Sequence, residues 1–170
     1  MNKKLSVALL LSLGAIAFCQ AQNETPQERA KKKVEPIIKY IDSKITDASK
    51  KLTKAQKDKI LEARIAYEVS LDSIPLLRDE LLKEAEELKA KAAELNQKVA
   101  ETEEEAAKIS QEKEALKARQ DALKSKQENL KTIPERLKTS FEETVKKILK
   151  GDQLKAYNEM LAAQKTKRNP

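Results

Sequence analysis

Histidine and tryptophan are absent from this sequence of 170 residues, and cysteine, glycine and aromatic residues are rare. Without histidine, and with Cys19 as its single cysteine, the chain lacks the usual general base and the usual thiol nucleophile. The same shortage removes the imidazole and thiolate ligands that transition metals prefer. Two glycines cannot make a glycine-rich phosphate-binding loop. We therefore expect a protein that is not an enzyme and that binds no metal or other cofactor.

Large apolar side chains are also scarce. Aromatic residues make up 3% of the chain and charged residues 37%. A chain of this composition cannot fill the multilayer core of a compact domain of its length. Carboxylate pairs such as Glu103 and Glu104 are then expected on solvated surfaces, with no pocket to shift their pKa values. The composition predicts an all-α, elongated protein.

The first 21 residues have the three parts of a secretory signal peptide. Lys3 and Lys4 precede an apolar stretch, residues 5–18, that is too short to span a bilayer, and a small-residue cleavage site ends at Ala21. We expect cleavage after Ala21 and a periplasmic protein. The alternative is a lipoprotein acylated at Cys19, which Phe18 disfavours because a small residue is expected before the cysteine.

The chain that remains after this cleavage has 149 residues and no cysteine, which suits an oxidising compartment. Loss of Lys3 and Lys4 leaves 33 basic against 28 acidic residues, a net charge of about +5. Neither interleaved aromatics nor an arginine cluster accompanies this modest bias, so nucleic acid is not an expected partner. The expected partners are unfolded or acidic proteins.

A column of apolar residues repeats every seven positions from Ile60 to Leu137, and eleven of its twelve members are apolar. A period of seven over this length is typical of a coiled coil. The sequence thus predicts a long central coiled-coil helix over about residues 76–131, flanked by shorter helices, and a homodimer. The predicted seam residues are Leu81, Leu88, Leu95, Ile109, Leu116, Leu123 and Leu130.

Pro75 and Pro134 bracket this middle segment. Because the column stays in phase across both prolines, we favour mild kinks in one rod, with a helix restart or bend at the capping box formed by residues 132–135. The alternative is a hairpin near residues 101–105, which no turn residues support. The predicted regions are N-terminal helices over 26–74, the long helix over 75–131 and C-terminal helices over 132–167.

Two short segments predict helix starts. Thr25-Pro26-Gln27-Glu28 has a capping threonine, a proline in the first turn and a glutamate three residues after the cap. In Leu52-Thr53-Lys54-Ala55-Gln56, Thr53 and Gln56 can form a second capping box, and Leu52 can pack against the first helix. A related segment, Ile148-Leu149-Lys150-Gly151-Asp152-Gln153, follows near the C-terminus.

These paired segments resemble the Spy/CpxP family of periplasmic proteins, which is named for an L-T-x-x-Q motif. The first motif matches at Leu52, Thr53 and Gln56, whereas the second matches at Leu149 and Gln153 and has Lys150 in place of threonine. Lys150 cannot cap a helix, and Asp152 is a candidate to replace it. The resemblance covers about residues 26–74 and 133–165, and it implies a small all-helical protein that pairs as an antiparallel dimer.

The resemblance implies an ATP-independent chaperone (a holdase) or an envelope-stress protein. Its candidate client-binding residues are Lys31, Lys32 and Lys33 on the first helix. The alternative is a coiled-coil adaptor or stress regulator that binds one envelope partner. Chaperones with coiled-coil arms like Skp are a weaker match, because they carry a β-stranded core and this sequence has no strand-like alternation.

Overall fold

The structure, a computed structural model, describes residues 24–168. The predicted signal peptide and Cys19 lie outside the described residues. Four α-helices account for most of the described chain, and none of its residues forms a β-strand, so the all-α prediction is confirmed. The helices are α1 (Pro26–Lys44), α2 (Lys54–Gln97), α3 (Glu103–Ile148) and α4 (Asp152–Arg168), with one short 3₁₀ turn at Ala48–Lys50.

Both predicted N-terminal capping boxes are present. The Thr25 hydroxyl accepts from the Glu28 amide at the start of α1, and the Glu28 carboxylate accepts from the Thr25 amide at 2.8 Å. Thr53 and Gln56 make the same exchange at the start of α2. Each box satisfies two amides that the first helical turn leaves without partners.

The middle of the chain is a hairpin, which is the alternative to one continuous rod. Residues 76–131 are divided between α2 and α3, which are joined by the connection Lys98–Thr102. Ion pairs join the two helices at Lys98–Glu112 and Glu84–Lys126, so the helices run antiparallel. At 1.5 Å per residue, α2 and α3 are each about 65 to 70 Å long.

The hairpin turn begins α3 with a cap that the sequence analysis did not identify. The Thr102 hydroxyl accepts from the Glu105 amide at 3.2 Å, and the Glu105 carboxylate accepts from the Glu101 amide at 2.9 Å. Glu103, Glu104 and Glu105 occupy the first turn, where negative charge is favourable to the helix dipole. These features start α3 without a glycine or proline.

The predicted helix restart at residues 132–135 is wrong. α3 passes through Pro134 without a break, as α2 passes through Pro75. The Thr132 hydroxyl donates to the Asn129 carbonyl at 2.8 Å within the helix and caps nothing. Leu130, Ile133 and Leu137 are half-buried on α3, and their packing outweighs the one backbone hydrogen bond that a proline removes.

Apolar side chains form two separate clusters. The larger one joins α1, the first part of α2, the last part of α3 and α4, and its most buried large residues include Ile41, Ile60, Val145 and Tyr157. We call this four-helix region the base. The smaller cluster lies within the hairpin, which we call the arm, and consists of Leu88, Leu95, Leu116 and Leu123.

The predicted seam residues therefore pack within one chain. Leu81 lies partly buried against the arm cluster, with Ala85 and Ala92, while Ile109 and Leu130 are half-buried. The register of the ion pairs places Leu88 beside Leu123 and Leu95 beside Leu116. The period of seven therefore reflects two antiparallel helices of the same chain.

No helix among residues 24–168 is long and apolar enough to cross a membrane.

Candidate functional site

The two motif glutamines, Gln56 and Gln153, meet in the base. The Gln56 side-chain amide donates to the Gln153 side-chain oxygen at 2.8 Å, although 97 positions separate the residues. Gln153 is 7% exposed. Gln56 is half-buried, and both side chains need further partners, because an unsatisfied polar group away from solvent is costly.

Each glutamine reaches across to the backbone that precedes the other. Gln56 donates to the Ile148 carbonyl at 3.0 Å, at the end of α3. Gln153 donates to the carbonyls of Lys50 at 2.9 Å and Lys51 at 3.3 Å, just before α2. The four helix ends at this junction are therefore tied together by two side chains.

Each glutamine also accepts from the backbone three residues before it. The Gln56 oxygen accepts from the Thr53 amide at 3.0 Å, and the Gln153 oxygen accepts from the Lys150 amide at 3.2 Å. The leucines one residue earlier, Leu52 and Leu149, are both buried in the base. The two segments thus have matching roles around an approximate local twofold relationship, even though Lys150 replaces a threonine.

Gly151 accounts for the difference between the two helix starts. Its φ angle is +50°, the left-handed region that other residues rarely adopt. The chain turns here, with the Gln153 amide donating to the Lys150 carbonyl at 3.0 Å and the Lys155 amide to the Gly151 carbonyl at 3.2 Å. Asp152, the predicted cap, is the first residue of α4 and follows the turn.

Asp42 joins α1 to the start of α2. Its carboxylate accepts from the Leu52 amide at 2.9 Å and pairs with Lys57 at 2.7 Å. Burial alone would raise the pKa of Asp42, but the hydrogen bonds from Lys57 and Leu52 and the nearby positive charges outweigh it. The pKa of this carboxyl therefore lies below its ordinary value.

A second polar cluster fixes the other end of α1. Arg29 donates to both oxygens of Asp72 at 2.6 Å and to Glu68 at 3.3 Å, while Arg64 pairs with Glu68 at 2.6 Å. The hydrogen bond to Asp72 raises the pKa of the Arg29 guanidinium above its ordinary value, against the effect of burial. Glu68 is 5% exposed, and its charge is balanced by the two arginines.

Aromatic residues pack at the helix crossings. The rings of Tyr67 and Phe141 lie 5.9 Å apart, and the Arg64 guanidinium sits over both, 4.2 Å from the Tyr67 ring centre. Burial, reinforced by the charge of Glu142, raises the pKa of Tyr157 well above its ordinary value. These contacts pack the helices of the base against one another.

The three lysines predicted to bind clients are exposed on α1. Lys32 pairs with Glu24, so part of its charge is used within the chain. The structure brings the lysines into no common site with the motif residues. Among residues 24–168, no group of three or more acidic, cysteine or histidine side chains is placed to hold a metal ion.

The search of known proteins adds no relationship. No family model, no curated protein and no solved structure matches this chain. Its candidate function must be argued from its own residues.

The buried side chains of the base serve to hold helices at fixed angles. Sequence analysis identified Leu52, Thr53, Gln56, Leu149 and Gln153, and the structure brings all five to one junction. It missed Asp42, Arg29 and Glu68, because their partners lie on other helices. The available signal for Glu68 was a carboxylate directly after Tyr67, which belongs to the column of apolar residues that repeats every seven positions. The surfaces free to bind a partner lie outside this junction.

Proposed function

We propose that this chain is an exported, ATP-independent holdase of the Spy/CpxP type, which binds unfolded envelope proteins and acts as a homodimer. The observation that carries the proposal is a set of large apolar side chains left in solvent along α2 and the hairpin turn. They are Val69, Leu76, Leu77, Leu82 and Val99, and their exposed fractions range from 39% to 86%. A highly charged chain gains nothing in solubility from such positions, which therefore favour contact with apolar segments of other proteins.

The arrangement of base and arm suits this role. The base fixes the roots of α2 and α3 through Gln56, Gln153 and the Arg29 cluster, while the arm presents a long helical surface. Net positive charge speeds the encounter with acidic clients by long-range attraction, and scattered apolar side chains hold them weakly. The proposal includes no cofactor and no catalytic step.

Aggregation of a denatured client provides the test. The purified chain without its first 21 residues is mixed with a chemically denatured protein that is then diluted, without ATP, and light scattering is followed. We expect scattering to fall as the chain approaches equimolar amounts. A helical protein of similar size and net charge is the control. Equal scattering with both proteins would refute the proposal.

One observation favours the adaptor as a second candidate. Val99, at the tip of the hairpin, is 86% exposed, and a tip of this kind suits one specific partner. A pulldown from envelope extract separates the candidates. An adaptor retains one protein in fixed proportion and loses it when Val99 is changed to serine, whereas a holdase retains many proteins weakly and is little affected by that change.

A further inference from the structure

One stretch of α2 has few charges in a chain that is 37% charged. Between Arg64 and Arg78, Glu68 and Asp72 are the only charged residues, and both face Arg29 on α1. The rest of this stretch is apolar or carries small hydroxyl side chains. Both charges are thus paired with Arg29, Glu68 in a buried position and Asp72 with its side chain 51% exposed.

Three apolar residues of this stretch share a strip on the outside of the helix. Ile65 is half-buried, whereas Val69 is 51% and Leu76 65% exposed. At 100° per residue, all three lie within about 40° of one another around the helix. Tyr67, which faces α3, lies on the opposite side of the helix from this strip, which we call the outer strip. On its other side the outer strip is bordered by Asp72, whose carboxylate pairs with Arg29 on α1.

Acidic residues flank the outer strip at both of its ends. Asp58 and Glu62 precede it and Asp79 and Glu80 follow it, all within about 60° of Ile65 around the helix. All four are exposed, and none of them forms an ion pair with another of residues 24–168. Lys54 and Lys83 lie on the same face farther from the strip, so it is the immediate flanks of the strip that are acidic, on a chain of net positive charge.

We infer that the outer strip binds short extended polypeptide segments in which apolar residues are flanked by lysine or arginine. The inference rests on the proposed holdase function and names the class of client. The apolar side chains of the segment cover Ile65, Val69 and Leu76, while its basic ends approach the carboxylates. The net charge of the chain then acts at long range on the client as a whole, whereas α2 selects the basic-flanked segment within it, with Lys31, Lys32 and Lys33 outside the binding surface.

The dimensions of the strip favour a segment over a folded partner. From Ile65 to Leu76 the helix rises about 16 Å, and its width is about 10 Å. This footprint is far below the roughly 800 Å² that each partner buries in a stable complex of folded proteins. An extended segment rises about 3.3 Å per residue, so about five apolar residues cover the strip and about eight reach from Glu62 to Glu80.

Peptide binding tests the charge preference. Three fluorescent peptides share an apolar centre of about five residues and carry lysines, serines or glutamates at both ends. We expect the lysine peptide to bind several-fold more tightly than the serine peptide and the glutamate peptide to bind weakest. Added salt should weaken the binding of the lysine peptide more than that of the other two. Equal affinities for the three peptides, or preference for glutamate, would overturn the inference.

Variants on α2 test the location. The double variant Val69→Ser, Leu76→Ser should lose about tenfold or more in affinity for the lysine peptide. Leu82→Ser is the matched control, because Leu82 is 43% exposed on the same helix but lies about 120° around it from Leu76. Glu62→Gln with Glu80→Gln should reduce binding of the lysine peptide and leave the serine peptide unchanged.

The outcomes separate this inference from the proposed function. If the parent chain suppresses aggregation but the double variant binds the lysine peptide as tightly as the parent does, the chain remains a holdase and its client site lies elsewhere. A chain that neither suppresses aggregation nor binds peptide refutes both. A parent chain that is dimeric by light scattering and monomeric as the double variant would assign the outer strip to a second copy, which overturns the inference.

Discussion

The side chains of Gln56 and Gln153 donate and accept across one junction, with the Gln56 amide nitrogen 2.8 Å from the Gln153 oxygen. Each glutamine also binds a backbone carbonyl at the far side of the junction, at Ile148 and at Lys50. These bonds join the starts of α2 and α4 to the end of α3 and the end of the 3₁₀ turn. The pair adds directional bonds to the apolar packing of the base and fixes the relative position of these helix ends.

Gln153→Ala is expected to lower the free energy of unfolding by about 2 kcal/mol. It leaves the Lys50 and Lys51 carbonyls and the Lys150 amide without their partner in a partly buried place. Urea unfolding followed by circular dichroism measures the change. Gln111→Ala, an exposed position on α3, is the control and should change stability by less than about 0.5 kcal/mol. Equal losses in the two variants would contradict the role assigned to Gln153.

Gly151→Ala is expected to cost about 1 kcal/mol, because an alanine at φ +50° is strained. No atom lies within 4 Å of the position that its Cβ would take, so the loss comes from the backbone alone. Asn tolerates this conformation better than alanine. Gly151→Asn should therefore lose less stability than Gly151→Ala in the same urea experiment, and the reverse order would show that the turn is not strained.

The sequence correctly predicted the first two helix starts, but it favoured one continuous rod over the hairpin. Capping boxes are local, so Thr25 and Thr53 could be recognised from four residues each. The heptad column stayed in phase through the turn and concealed it. Its one polar member, Thr102, marked the turn, since T-E-E-E is itself a capping signature with an acidic first turn.

The long-range contacts of the base were beyond sequence reasoning for a different reason. Gln153 was identified as a motif residue, but its bonds to Lys50 and Lys51 depend on how α4 packs against the start of α2. The opposite error occurred at Thr132, whose capping pattern is real but lies inside a helix. A capping pattern in the sequence marks a helix start only where tertiary packing does not keep the preceding residues helical.

Spin labels test the hairpin directly. Cysteines that replace the exposed Glu80 and Lys131 would carry labels about 75 Å apart in a continuous helix of 51 residue steps. The antiparallel register set by Glu84–Lys126 brings the same positions side by side, so we expect a distance on the order of 20 Å. Labels at Lys54 and Glu80, both on α2, serve as the control at about 40 Å. Dilution with unlabelled chain removes distances between copies.

Replacement of Arg29 tests the cluster that fixes the first half of α1. Arg29→Met should cost about 2 kcal/mol, because Glu68 keeps Arg64 but loses one of two balancing charges in a buried place. Arg29→Lys should recover only part of this loss, since an ammonium cannot donate to Asp72 and Glu68 with the geometry of a guanidinium. Hydrogen exchange should accelerate at residues 26–34 in both variants. Unchanged exchange there would show that apolar packing alone holds α1.

The carboxyl of Asp42 should make stability depend on pH below about 4. Its pKa is lower in the folded chain than in the unfolded chain, so the folded state favours the ionised form. The stabilisation is complete above the unfolded pKa and is lost as the pH falls through the folded pKa.

Asp42→Asn should be less stable than the parent at pH 7, because it loses the pair with Lys57. Its free energy of unfolding should fall less steeply than the parent's between about pH 4 and pH 2, as measured by urea titrations. Asp79→Asn, which removes a carboxylate at an exposed position on α2, is the matched control. Parallel curves for the parent and Asp42→Asn would mean that Asp42 does not join α1 to α2 through its charge.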